Sequence, residues 1–378
     1  SDYLTSVVME MLDNYDLDAI HFDYIRYPGS DFDDDDTYAA YGNGMDKGDW
    51  RRQNINEFVY QVYDEIQAHH PDVKVGSAPI GTYHNIPGAT GWQGYYDVYQ
   101  DSRDWVEKDK HDYLCPQLYW MIEGRFMPLL KDWTAHSHGK HIYTGLGAYR
   151  LQDKQDISEQ TFYNNWEYYM DMAAQGNAKA WESDELVRQV DSCRAYGAQG
   201  QTYFSSSYIT MDVKDLMFKL KNGVYSLPAH INPMWWKDET PPGAPQNLVA
   251  QAITPLEYQL SWDAPVAAAD GDLPNYYTVY KSHSPEIDTA QMSNVVAMGI
   301  TGTECTFQLD TLLSAPYYFT VTAFDNFYNE SDTSQVVGVV NESGISLEQP
   351  VLAQTQADLM PYFSWQANQG GNYLVQLS

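Results

Sequence analysis

Apolar and polar positions over residues 1 to about 225 alternate between two periods. Apolar residues three and four apart, typical of an amphipathic helix, occur in segments such as "YLTSVVMEMLDNY" and "RRQNINEFVYQVYDEIQAHH". Short β-prone runs separate the helical segments, namely "AIHFDYIR", "VKVGSAPIG", "YLCPQLYW", "HIYTGLGAY" and "GQTYFSSSYI". Because each run is followed by a helix, the pattern predicts βαβ units and a parallel sheet.

These βα units fit either an open α/β sheet or part of a (β/α)8 TIM-type barrel, which usually has about 250 residues. Polar residues at the strand ends and long loops after the strands favour the barrel. In that interpretation only about strands 4–8 are present, and "AIHFDYIR" is the fourth. We therefore expect three βα units to be missing on the N-terminal side.

The pattern changes to period two after the Pro-rich stretch "SLPAHINPMWWKDETPPGAP". The runs "LEYQLSW", "YYTVYKS", "CTFQL", "YYFTVTAFD" and "SQVVGVV" predict the strands of an all-β sandwich. This part resembles a fibronectin type III domain, with Trp262 on its second strand and Tyr317, Phe319, Val321 and Ala323 on one face of a later strand.

Four segments follow from these patterns. The predicted boundaries are 1–228 for the five βα units, 229–244 for the linker, 245–342 for the fibronectin type III-like domain and 343–378 for the start of an incomplete β domain.

Charge and composition exclude some classes of partner. The 378 residues include 21 Lys and Arg against 52 Asp and Glu, a formal net charge of −31, which disfavours nucleic acid and anionic membranes. No apolar run approaches the roughly 20 residues of a membrane helix, so no membrane insertion is predicted for the visible chain. The 32 Tyr and 11 Trp fit sugar binding, although large cores would explain them equally well. Three scattered cysteines leave the redox compartment open and predict no metal site.

The strand "AIHFDYIR" carries charged residues where a strand should be most buried. Side chains alternate along a strand, so His21 and Asp23 share one face. Burying an aspartate is costly unless it is paired or used. Two interpretations remain open: an ion pair with Arg26 or His21 that only fixes the top of the barrel, or a catalytic carboxylate.

The strand is one of several motifs that carry a family resemblance. "DAIHFDYIRYP", "WRRQNINEFV", "VGSAPIG", "DYLCPQLYW", "YTGLGAY" and "TYFSSS" together resemble the glycosyl hydrolase-like 10 family over residues 1 to about 235. The resemblance implies a barrel glycosidase without a cofactor. It also implies a bacterial envelope or extracellular polysaccharide as substrate, with peptidoglycan glycan strands as one candidate, and a secreted or cell-envelope location.

The resemblance places the family's signature aspartate at Asp23. Glycosidases use two carboxyl groups, one as acid and one as nucleophile or base. Asp23 would be nucleophile or charge stabiliser, with His21 and Arg26 supporting its ionised form. Glu123, beyond "PQLYW", is the best-placed second carboxylate; Asp101 and Asp104 are weaker candidates, and the missing strands could supply it instead.

Further residues at strand ends and loops are predicted to bind substrate. They are Tyr24, Arg52, Ser77, Gln117, Tyr119, Trp120, Tyr149 and Ser205. Amide, phenol and hydroxyl groups can bond sugar hydroxyls, and an indole can stack on a sugar ring. For Trp120 a core position, and for Arg52 a surface position, are the alternatives.

The acidic run "DFDDDD" raises the question of calcium. Aspartates alternate as in a calcium loop, but Asp36 and Gly42 stand where such a loop has its glycine and its glutamate. The pattern favours a solvated acidic loop over a metal site.

The sequence as a whole predicts a glycosidase. The alternative is a non-catalytic carbohydrate-binding or adhesive surface protein, and a purely structural scaffold is a third hypothesis.

Overall fold

A computed structural model describes residues 2–151, 180–254, 257–308 and 316–339, and two short strands beyond them. The chain divides into two compact units, Ser1–Leu227 and Pro228–Ser378. The predicted helix "SEQTFYNNWEYYMDMAAQ" and most of the predicted C-terminal β domain lie outside the described residues.

The first unit alternates strands and helices as the sequence predicts. Its five strands are β1 (Ala19–Phe22), β2 (Lys74–Ser77), β3 (Tyr113–Leu114), β4 (His141–Leu146) and β5 (Gly200–Tyr203). Its helices are α1 (Asp2–Asn14), α2 (Asp35–Tyr41), α3 (Lys47–His69), α4 (Gly94–Asp97), α5 (Ser102–Glu107), α6 (Met127–Ala135), α7 (Ser183–Ala195), α8 (Ser207–Thr210) and α9 (Leu216–Asn222). A π-turn spans Ile122–Phe126, and 3-10 turns span Ala148–Leu151 and Val213–Asp215. None of the described helices combines the length and apolarity needed to cross a membrane.

The strands form one parallel sheet in the sequential order β1-β2-β3-β4-β5. Right-handed crossovers between neighbours in this order keep the connecting helices on one face, as in a barrel and unlike a doubly wound sheet. The sheet curls into a half-barrel. The parallel barrel-type half predicted from the sequence is thus confirmed, while the eight-stranded barrel stays a prediction.

The core of this unit lies between the sheet and its helices. Leu114, Ile142 and Leu146 of the sheet pack against buried Trp105 of α5 and Trp133 of α6. A second cluster joins β1 and β2 to α1 and α3. The opposite face of the sheet is therefore free to carry polar and aromatic side chains.

Every strand of the half-barrel ends earlier than its β-prone run predicts. The run "AIHFDYIR" stops being a strand at Phe22, because Tyr24 adopts a left-handed backbone with φ 57°. After β2 and β3 the chain reaches Pro79 and Pro116, which have no N–H to donate to a neighbouring strand. Residues predicted to lie on strand ends consequently lie on loops at the carboxyl edge of the sheet.

The second unit is an antiparallel sandwich, as predicted. Its strands are β6 (Gln246–Ala252), β7 (Glu257–Asp263), β8 (Tyr276–Ser282), β9 (Val295–Ile300), β10 (Glu304–Gln308), β11 (Tyr317–Phe324) and β12 (Val337–Val339). They form a three-stranded sheet, β10-β7-β6, and a four-stranded sheet, β12-β11-β8-β9. Strands β13 (Ser346–Leu347) and β14 (Trp365–Gln366) pair with each other.

One predicted face of the sandwich is confirmed in detail. Phe319, Val321 and Ala323 of β11 are fully buried and share a core with Trp262 of β7. Strands β6 and β9 were not predicted because neither shows a period-two pattern: β6 has polar side chains at three of its seven positions, whereas β9 has none.

Candidate active site

The inward face of the half-barrel carries a level row of polar side chains. The parallel register sets His21 beside Gly76, Gly76 beside Tyr113, and Tyr113 beside His141. Nδ1 of His21 lies 3.2 Å from the Tyr113 hydroxyl, and the two rings are stacked with centroids 5.8 Å apart. A Cβ at position 76 would meet the Tyr113 ring at 2.3 Å, so only glycine lets the phenol reach across β2.

Partial desolvation favours the uncharged forms of this pair, of which Tyr113 is buried and His21 is exposed. It lowers the pKa of His21, although the nearby charge of Asp23 acts in the opposite direction. Burial also raises the pKa of Tyr113. A neutral imidazole and a neutral phenol therefore form the layer below Asp23.

Asp23 is an exposed carboxylate directly after β1, at the carboxyl edge of the sheet. Its Oδ1 accepts a 2.8 Å hydrogen bond from the N–H of Tyr24, and the Tyr24 carbonyl accepts one of 2.8 Å from the N–H of Arg26. Tyr24 makes this tight turn by adopting a left-handed backbone conformation. That conformation costs a non-glycine residue about 1–2 kcal/mol. The turn brings Tyr24 and Arg26 to the edge beside Asp23.

Arg26 and Tyr24 meet a residue that sequence reasoning missed. The Arg26 guanidinium lies over the Tyr24 ring at 4.7 Å and over the Trp92 ring at 4.9 Å. Trp92 belongs to the loop after β2 and is 49% exposed. A single tryptophan in the Gly-rich loop "PGATGWQG" was the only signal of it in the sequence.

A cluster of three aromatic side chains stands at the same edge, after β3, β4 and β5. Tyr119 stacks on Phe204 at 5.9 Å, and Tyr149 lies edge-on to Tyr119 at 5.7 Å and to Phe204 at 5.8 Å. Backbone bonds join the loops: Tyr149 N donates to the Phe204 carbonyl at 3.0 Å. Burial raises the pKa of Tyr119, with smaller contributions from Tyr149 and from the charge of Asp23. The structure thus brings Tyr119 near Asp23, and adds Phe204 to the predicted residues.

Gln117 and Trp120 close the edge between β2 and β3. Gln117 Nε2 donates to the Ala78 carbonyl at 3.1 Å. A Cβ at Gly81 would lie 2.2 Å from the Gln117 carbonyl oxygen and 2.9 Å from the Trp120 ring, so the two loops touch only because residue 81 is glycine. Trp120 is half-buried, and the Arg125 guanidinium lies 5.5 Å from the centre of its ring.

Three predicted substrate-binding residues have their contacts elsewhere. Ser77 is buried and level with Phe22 and Leu114 on the helix-facing side, where its hydroxyl lies 3.1 Å from His111 Nε2. Arg52 donates to the Tyr95 carbonyl at 3.0 Å and to the Asp49 carboxylate.

The hydroxyl of Ser205, which is exposed, lies 2.8 Å from that of Ser207. Ser77 was predicted to bind substrate because it was placed at the end of its strand. The register instead turns it toward the helices.

The candidate second carboxylate, Glu123, lies on the π-turn and forms an ion pair with Arg188 of α7. That guanidinium lowers the pKa of Glu123. A proton donor needs its pKa raised instead. Asp104 accepts from the Tyr60 hydroxyl, and Asp101 accepts from that of Tyr83, although burial raises the pKa of Asp101.

The acidic loop is not uniformly solvated, which corrects the sequence interpretation at one residue. Asp34 is buried and accepts from Nε and Nη2 of the buried Arg51, which also donates to the Ser30 and Phe32 carbonyls. Hydrogen bonds from Arg51 and Lys47 lower the pKa of Asp34 to about 2. The loop is thereby fastened to the start of α3.

Comparison with known proteins confirms the family resemblance for the first part of the chain. Residues 1–164 match the family described as "Glycosyl hydrolase-like 10". "Glycosyl hydrolase YngK" of Bacillus subtilis (strain 168) is 27% identical over 364 residues, 88% of this chain and 64% of the relative. "Glycosyl hydrolase DigH" of Escherichia coli (strain K12) is 31% identical over 178 residues, 43% of this chain and 40% of the relative. The chain thus spans less than two thirds of the length of either relative.

Solved structures match about a quarter of this chain at low TM-scores. Domains A168–A170 of titin match with a TM-score of 0.20 and 21% identity, covering 25% of this chain and 31% of that chain. The chicken CNTN1 FN1–FN3 domains match with a TM-score of 0.21 and 12% identity, covering 26% of this chain and 30% of that chain.

Proposed function

We propose that this chain, whose first 164 residues match the glycosyl hydrolase-like 10 family, is a glycoside hydrolase that acts through Asp23. The observation that carries the proposal is the position of Asp23. It is an exposed carboxylate at the carboxyl edge of a parallel half-barrel sheet, and barrel enzymes carry their catalytic groups at this edge.

The surroundings of Asp23 suit a carboxylate that meets developing positive charge on a sugar. Oδ1 is held by the Tyr24 N–H, whereas Oδ2 takes no hydrogen bond from the described residues. Asp23 would therefore face the sugar through Oδ2, as nucleophile or as stabiliser of the oxocarbenium-like transition state.

Exposed aromatic rings beside Asp23 provide a surface for sugar rings. Tyr24 is 71% exposed, Phe204 55% and Trp92 49%, so each presents ring surface to solvent at this edge. The faces of such rings can stack on sugars, while Gln117 and Tyr119 offer an amide and a hydroxyl. This arrangement supports a glycan that lies along the edge of the sheet.

A glycosidase also needs a second carboxyl group, and we propose Glu123 for this role. Glu123 could serve only if it left Arg188, because its present ion pair favours the ionised form at neutral pH. We propose an envelope or extracellular polysaccharide as substrate, peptidoglycan glycan strands included, and a secreted or cell-envelope location. The names of the relatives, both glycosyl hydrolases, support the reaction class.

The experiment that tests the proposal compares Asp23→Asn with Asp33→Asn in the full chain. Both variants remove one exposed carboxylate, but only Asp23 stands at the sheet edge beside Arg26 and Tyr119. Release of new reducing ends from purified glycan strands should be lost in Asp23→Asn and kept in Asp33→Asn. Equal release by wild type and Asp23→Asn would contradict the proposal.

A second candidate function is carbohydrate binding without catalysis. Binding without catalysis needs no proton donor, and all three candidate acids bond to other side chains. These acids are Glu123, Asp101 and Asp104. Co-sedimentation of wild type with insoluble glycan, without release of reducing ends, would select this function.

A further inference from the structure

The loop that carries Trp92 is braced from several sides. Gly91 N donates to the Asn85 side chain at 2.8 Å, Asn85 N to the Gln93 side chain at 2.9 Å, and Gln93 N to Asp97 at 2.7 Å. Trp92 is thus exposed on a loop whose backbone is fixed by hydrogen bonds. A ring held in this way is pre-organised for binding, so little freedom is lost when a ligand arrives.

Arg26 is held by ring faces rather than by acids. Its guanidinium lies over Tyr24 at 4.7 Å and Trp92 at 4.9 Å, and it makes no hydrogen bond or ion pair with any of the described residues. Asp23 acts on it only through space, beyond ion-pair distance. A guanidinium whose N–H groups are not bonded to acids can bind a carboxylate through two parallel hydrogen bonds.

A second arginine flanks the same loop. Nη1 of Arg125 comes within 2.8 Å of where a Cβ of Gly91 would stand, so a side chain there would displace the guanidinium. Arg125 also contacts an indole ring, that of Trp120, at 5.5 Å. Two partly buried arginines therefore frame this loop in a chain with a net charge of −31.

From this juxtaposition we infer that Tyr24, Arg26 and Trp92 form an anion-selective sugar subsite, which binds a carboxylate-bearing sugar next to Asp23. The inference rests on the proposed function, because it names the class of sugar that this same edge accepts. Arg26 would bind the sugar carboxylate through the edge of its guanidinium, and Trp92 would hold both the guanidinium and the sugar ring. Arg26 is then a residue that determines specificity, whereas the chemistry stays with Asp23.

The test measures binding to matched pairs of oligosaccharides. Each pair consists of a carboxylated glycan, such as an oligouronate or a bacterial wall glycan strand, and the same glycan with its carboxylates reduced or amidated. Arg26→Gln removes the charge, and Arg26→Lys keeps it but loses the planar fork. Arg194→Gln is the control, because Arg194 of α7 contacts the Tyr225 ring at 5.4 Å and its loss removes one charge and one ring contact elsewhere.

Wild type should prefer the carboxylated member of at least one pair by about tenfold, which corresponds to about 1.4 kcal/mol. Arg26→Gln should abolish that preference without weakening binding of the neutral member, Arg26→Lys should keep part of it, and Arg194→Gln should keep all of it. Equal binding of both members by wild type, or equal losses for both in Arg26→Gln, would overturn the inference. Arg26-dependent preference without hydrolysis would support the subsite while the proposed hydrolase fails, so the two failures are distinguishable.

Discussion

A buried histidine beneath the sheet makes the first unit sensitive to acid. His111 is fully buried, with Nε2 3.1 Å from the Ser77 hydroxyl and its ring 5.1 Å from the Trp105 ring. Desolvation lowers the pKa of His111 from 6.5 to about 4. The folded state therefore holds the neutral imidazole, whereas the unfolded chain takes up a proton at higher pH.

The sign and size of the effect follow from linkage. Because the folded pKa lies below the unfolded value, the stabilisation is complete above pH 6.5 and is lost as the pH falls toward 4. A difference of this size gives a loss of about 2 kcal/mol between about pH 7.5 and about pH 5. Asp34, whose pKa is lowered to about 2, loses its contribution only at lower pH, below its usual 3.8.

The perturbation is His111→Gln, which keeps a side-chain hydrogen-bonding group but cannot titrate. Urea unfolding followed by tryptophan fluorescence, which includes the buried Trp105, gives the free energy of unfolding at the two pH values. Wild type should lose about 2 kcal/mol more than the variant on acidification. His21 and His84 also have lowered pKa values, so only this difference isolates His111. Equal losses in both proteins would refute the reasoning.

Three further substitutions test packing and pairing. Gly81→Ala should destabilise the first unit by about 3 kcal/mol in urea unfolding, because its Cβ would lie 2.2 Å from the Gln117 carbonyl oxygen; unchanged stability would contradict the closeness of the two loops. Asp34→Asn should cost about 3–5 kcal/mol by leaving the buried Arg51 without its carboxylate, and a loss as small as that of Asp33→Asn would show the pair to be solvated. Trp262→Ala should cost the second unit about 3–5 kcal/mol by calorimetry, and a transition at the wild-type temperature would contradict its core position.

The sequence was sufficient for the order of elements because hydrophobic period is a local property. The alternation of β-prone and helical runs predicted all five parallel strands, and their starts agree closely with the structure. Strand ends were predicted too late, since they depend on where the chain turns away from its neighbour. The strand β1 ends at a turn in which Tyr24 has a left-handed backbone, and no residue-type preference indicates a turn at a tyrosine.

The site was less predictable because its contacts join distant parts of the chain. Alternation predicted that His21 and Asp23 share one face, but the contact of His21 with Tyr113 depends on Gly76, a residue without any chemistry of its own. Ser77 was predicted at a strand end without a face, and only its pairing with Phe22 and Leu114 shows that it lies on the helix-facing side. The pairing of Arg26 with Trp92 spans a loop whose conformation follows from its own hydrogen bonds.

The most direct test of the central claim is the rate at which Asp23→Asn releases reducing ends from the glycan that wild type cleaves fastest. We expect a fall of about a thousandfold, equivalent to about 4 kcal/mol in the barrier, with the glycan still bound and the Asp33→Asn rate unchanged. A rate for Asp23→Asn within about threefold of wild type, a difference of less than 1 kcal/mol, would contradict the claim that this carboxylate carries the reaction.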